Sequence, residues 1–180
     1  TNEPLELARS QKGLAMGGEP HALTNLGMDC LYKDDYVNAE KCFKEASSLM
    51  HLHPTGWWRM ETRLLLGRGE VSLAEGNYVQ ALKFAEDSLV ISEKADAKKY
   101  IAKGLKLKAE ILSKMGKAEE AVGLMQSALR MAQREGNPLI LWQTHYSFGL
   151  LFEKQGNLRG ANEHYAESIT LLETTASKLN

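Results

Sequence analysis

Apolar side chains recur along this chain at the three- and four-residue spacing of amphipathic helices, and sustained apolar/polar alternation is missing, so the pattern predicts an all-α protein. The four prolines, Pro4, Pro20, Pro54 and Pro138, each stand just before such a stretch, where the first helical turn tolerates the missing N–H. Asp34-Asp35, Gly76-Asn77, Gly116-Lys117 and Gly156-Asn157 punctuate the segments. Glycine takes the left-handed conformation that closes a helix and Asn or Asp caps the next, so these dipeptides predict tight turns between antiparallel helices.

Aligning the segments on these turns places Ala39, Ala81, Ala121 and Ala161 at equivalent positions, separated by 42, 40 and 40 residues. Twelve residues earlier stand Gly27, Gly69, Ala109 and Gly149, and three residues earlier Tyr36, Tyr78, Ala118 and Leu158. Four residues later come Phe43, Ala85, Met125 and Tyr165, and seven later Ala46, Ser88, Ala128 and Ser168. Small residues let two helices approach closely, and the larger one on the adjoining turn fills the space between hairpins.

This set of positions resembles the tetratricopeptide repeat, with GNYVQALKFAEDSL and GNLRGANEHYAESI carrying the likeness best. Repeats fall at about 20–51, 55–94, 97–135 and 138–177 in one array over 1–180, and residues 4–16 look like the second helix of a preceding repeat. Two departures stand out: the period is near 40 rather than 34, and the third repeat carries Ala109 and Ala118 where glycine and an aromatic are usual. Repeats of this length resemble those in regulatory arms of bacterial signal-transducing ATPases and transcription activators. The resemblance implies a right-handed α-solenoid whose first helices line a concave groove.

The groove positions implied by the repeat are His21, Thr24, Met28 and Leu31; Arg63, Leu66, Glu70 and Leu73; Lys103, Lys106, Glu110 and Ser113; and Gln143, Tyr146, Leu150 and Glu153. Apolar anchors with a few charges suit a peptide or partner helix. The Lys and Asn that clamp a terminal carboxylate in some tetratricopeptide modules are replaced by Thr24 and Met28, so that clamp is absent. Lys103 and Lys106 favour an acidic partner, against the plainer reading that they are solvated surface charge.

Composition narrows the function. Lys and Arg number 22 and Asp and Glu 23, for a net charge of −1, which lacks the basic excess of a nucleic-acid binder. No apolar run reaches membrane-spanning length, the N-terminus shows no signal peptide, and two cysteines suit a reducing compartment, so a cytoplasmic protein is expected.

Candidate chemistry is sparse. His51 and His53 point to different sides of a helix end without further ligands, so no metal is expected. Cys30 and Cys42 read as buried thiols on one hairpin, and His145 as a core or groove histidine without a nucleophile beside it. Of Trp57 and Trp58, one is expected buried and the other partly exposed, and Trp142 either staples repeats or anchors a partner. Phosphate loops, HExxH, GxSxG and GxGxxG patterns do not occur.

The last helix places Leu158, Ala161, Tyr165, Ile169 and Leu172 on a stripe that caps the array, while the orphan helix at the N-terminus needs upstream sequence or a weak homodimer to cover it. The expected function is a non-catalytic protein- or peptide-binding scaffold without cofactor. The alternative is the sensor arm of a larger regulator responding to a small ligand or peptide.

Overall fold

The computed structural model describes residues 18–51 and 57–178, and among them every regular element is an α-helix. In order these are α1 (Gly18–Leu31), α2 (Tyr36–His51), α3 (Trp58–Ala74), α4 (Tyr78–Lys94), α5 (Lys98–Lys114), α6 (Ala118–Glu135), α7 (Pro138–Lys154) and α8 (Leu158–Ala176). The expected helix at 4–16, His53 and the side chain of His51 lie outside the described residues.

The turns follow from local chemistry. Gly76, Gly116 and Gly156 adopt φ of 77°, 82° and 75°, the left-handed region that glycine enters without a Cβ penalty. Asp34 fills the same place in the first hairpin at φ 58°, and Asp96 stands at 46° between α4 and α5. Side chains cap some of the helices, while α5 and α6, which start after Ala97 and Lys117, have no side-chain cap. Asp35 accepts from the Asn38 amide at 3.2 Å, Asn137 from the Leu139 amide at 3.0 Å and Asn157 from the Gly160 amide at 3.0 Å.

The fold divides at Ser88 and Leu89, within α4, into two compact units. In the first, α1, α2 and α3 pack together around Leu23, Phe43, Ala46, Leu64 and Val71. Phe43 is wedged against both Gly27 of α1 and Gly67 of α3, so one aromatic ring fills the junction of three helices. In the second, the hairpins α5–α6 and α7–α8 are joined by contacts of α6 and of α5 with α7. Ala109, Met125, Phe148 and Leu151 form one core, and Ala102, Ala132 and Ile140 another.

Three expectations need correction. Trp57 and Trp58 are both half-buried rather than split, because Trp57 precedes α3 as its N-cap residue and so escapes helical spacing; it packs on the first core. The capping stripe of α8 is mostly open: Leu158, Ile169 and Leu172 are 63%, 55% and 41% exposed, while Ala161 and Ser168 turn inward against α7. Thr24 and Leu66, expected on the groove face, are buried, as is Leu31.

Candidate functional site

First helices pack side by side within each unit, α1 with α3 and α5 with α7. In the first unit the neighbouring helix decides which positions stay open. Thr24 turns into the core and donates its hydroxyl to the Pro20 carbonyl at 2.8 Å, which satisfies it without solvent. Thr62 and Thr144 do the same toward Trp58 and Ile140. Met28 is half-buried, its Sδ lying 3.1 Å from where a Cβ on Gly67 would be.

Asn25, one position beyond Thr24, occupies the face instead. Its Oδ1 accepts from Arg63 Nη2 at 2.7 Å, and its Nδ2 lies 3.1 Å from His21 Nδ1. A polar chain His21–Asn25–Arg63 thus crosses from α1 to α3. Glu70 is half-buried further along α3. Asn25 was missed by position counting; its i+4 spacing from His21 was the available signal.

The second unit combines charge with exposed apolar surface. Lys103, Lys106 and Glu110 are half-buried on α5, with Lys106 Nζ 3.0 Å from Glu110 Oε1. Gln143 is half-buried on α7, and Tyr146 and Leu150 are 48% and 45% exposed. Behind them Tyr165 of α8 crosses Gly149, where a Cβ would lie 2.4 Å from Cε1. Its hydroxyl donates to Glu153 Oε2 at 2.5 Å and its ring lies 5.9 Å from that of Tyr146. Burial, reinforced by the Glu153 carboxylate, pushes the phenol up to about 12.

Nearby, His145 is indeed a packed histidine. Its Nδ1 lies 2.9 Å from Nδ1 of His164, which stacks on Phe148 at 4.2 Å between centroids. Burial lowers the pKa of both imidazoles, and for His164 the neighbouring His145 adds to the shift. Cys30 and Cys42 are free thiols in mutual contact, and burial raises both. Among the described residues no group of three or more His, Cys, Asp or Glu is placed to hold a metal ion, and no helix is long and apolar enough to cross a membrane.

No family model matches the chain. It resembles the solved structure of a Rap protein complexed with competence and sporulation factor, with a TM-score of 0.81 at 16% identity over 96% of this chain and 47% of that one. The fold is that of an all-α helical-repeat protein. BtubC (BKLC) from P. vanneervenii superposes with a TM-score of 0.61 at 16% identity over 97% of this chain and 89% of that one. The apo form of RapI gives 0.61 at 14% identity over 97% and 48%. In sequence, 53 residues are 34% identical to response regulator aspartate phosphatase A of Bacillus subtilis (strain 168), covering 29% of this chain and 14% of that protein. The chain spans about half the length of the two Rap structures and a smaller share of the phosphatase.

Proposed function

We propose that this chain is a non-catalytic, cytoplasmic scaffold that binds a peptide or protein segment along the open side of its first helices, with no cofactor. The observation that carries this reading is the α5–α7 face, where Tyr146 and Leu150 stay nearly half exposed beside the Lys106–Glu110 ion pair. Exposed aromatic and aliphatic side chains supply contact area, and flanking charges fix register. The likeness to a Rap protein solved with competence and sporulation factor supports it. Met28, Arg63 and Glu70 on the first unit, and Lys103, Lys106, Glu110, Gln143, Tyr146 and Leu150 on the second, are the proposed contact residues.

A second reading makes the chain a sensor arm of a larger regulator, in line with extended tetratricopeptide-type repeats. It is favoured by the 53 residues that are 34% identical to response regulator aspartate phosphatase A. The non-catalytic reading requires that the purified chain leave the aspartyl phosphate of a phosphorylated response regulator undisturbed; faster loss of phosphate would overturn it.

The binding reading is tested by affinity capture from native extract. Replacing Lys103, Lys106 and Tyr146 together should abolish specific capture while leaving the melting temperature within about 3 °C. Undiminished capture by a folded triple variant would move the site elsewhere.

A further inference from the structure

We propose that the open flank of α8 is a dimer interface, against which a second copy of this chain lays its own α8 antiparallel. α8 packs on α7, and its buried residues, Ala161 and Ser168, mark that seam. A second stripe runs beside it: Leu158, Asn162, Tyr165, Ile169, Leu172 and Ala176 follow one another in alternating steps of four and three residues, the spacing of a coiled-coil seam. Tyr165 is half-buried over Gly149, and the other five are exposed. Three large aliphatic side chains, Leu158, Ile169 and Leu172, thus face water along one flank of one helix. Contiguous apolar surface of this kind marks a site of association.

The charges beside the stripe decide what covers it. Arg159 and Glu173, both exposed, stand on its outer edge, seven residues to either side of Ala166. In a pair related by a two-fold axis near Ala166, Arg159 of each copy meets Glu173 of the other, so the contact is matched at both ends. The seam then sets Tyr165 against Ile169, Asn162 against Leu172 and Leu158 against Ala176. A uniformly acidic or basic helix would match one end only, and a parallel pair would bring like charges to the same end. Arg159 Nε lies 3.0 Å from Glu163 Oε1 in its own helix, but these side chains are 92% and 66% exposed, and such a pair contributes little and leaves the guanidinium open to a second carboxylate. By helical period Glu163 and Glu167 lie on the side away from the stripe and do not oppose each other across the axis. Ala166 is small where the two backbones come closest. The seam is short and includes one asparagine, which places the association in the micromolar range.

The test is sedimentation equilibrium of the whole purified chain in reductant, from about 1 to about 200 μM at about 50 mM salt. A reversible monomer–dimer equilibrium is expected. Ile169→Glu together with Leu172→Glu should weaken it about tenfold or more, while melting at about 1 μM stays within about 3 °C of the parent because both positions are exposed. Arg159→Glu alone, or Glu173→Arg alone, sets like charges against each other at both ends and should weaken association about fivefold or more. An equimolar mixture of those two single variants restores opposite charges at both ends and should associate like the parent. A chain that is monomeric at every concentration, a dimer indifferent to Ile169→Glu with Leu172→Glu, or a mixture no tighter than its components would each overturn the pairing. Growth beyond the dimer would also overturn it, since a two-fold contact closes on itself. A monomeric chain that loses a captured protein on Ile169→Glu with Leu172→Glu would assign the flank to a different partner and reject the second copy.

Discussion

The ring of Phe43 passes so close to Gly67 that a methyl group there would sit 2.5 Å from its Cζ, and one on Gly27 would sit 2.6 Å from Cε1. Phe43 has no exposed surface and cannot swing aside. Gly67→Ala gains up to about 1 kcal/mol in helix propensity but forces apart three packed helices, at a cost of about 1–3 kcal/mol. Chemical denaturation should show net destabilisation, partly relieved by Phe43→Leu in the same chain. A more stable Gly67→Ala protein would refute the close packing.

Arg68 makes a forked contact with Glu40, its Nη2 2.8 Å from Oε1 and its Nε 3.2 Å from Oε2, while its guanidinium lies 4.4 Å from the centroid of Phe84. Lysine reproduces neither the fork nor the planar stacking. Both partners keep about a fifth of their side-chain surface exposed, which moderates the loss. Arg68→Lys should therefore lower stability by about 1 kcal/mol in urea titrations; no measurable change would show the contact to be energetically idle.

The His145–His164 pair predicts a pH dependence with a definite sign. Both imidazoles titrate below their ordinary value of 6.5 in the folded chain, so the unfolded chain binds protons first as pH falls. Stability should be fully present above about pH 6.5 and decline below it. Glu167, facing both rings, and Glu163, beside His164, oppose the shift without reversing it. Melting curves should drop on acidification from pH 7.5 to pH 5.5, and the drop should shrink in His145→Gln. An identical acid response in that variant would locate the sensitivity elsewhere.

Trp142 buries its indole Nε1 with no acceptor among the described residues, although its carbonyl accepts from Ser168 at 3.1 Å. A buried N–H without a partner costs about 1–3 kcal/mol, and phenylalanine removes it while keeping much of the ring. Trp142→Phe should thus lie within about 1 kcal/mol of the parent in thermal unfolding, whereas Trp142→Ala, at a half-buried position, should lose about 2–3 kcal/mol. Similar losses for both would mean that the indole N–H, and not the bulk of the ring, holds the site together.

The helical hairpins were legible because their chemistry is local. Gly27 and Phe43, like Gly149 and Tyr165, are sixteen residues apart in sequence and meet in the fold, as repeat packing requires. Which first-helix residues stay open was less legible, since a fixed register assigns Thr24 and Leu66 to a face that the adjoining helices close. Asn25 meets Arg63 across 38 residues and His145 meets His164 across 19, and neither contact has a signature in composition or spacing. Trp57 escaped because a residue just outside a helix does not obey its period.

The left-handed turns at Asp34, Gly116 and Gly156 also bear on how fast the chain acquires its shape. Each brings two helices together across only a few residues of turn, so hairpin contacts close short loops at little entropic cost. Tyr165, for example, reaches Glu153 across twelve residues. Such connectivity places most of the search for structure within a single hairpin, where relaxation is fast, and leaves docking of one hairpin on the next as the slower event.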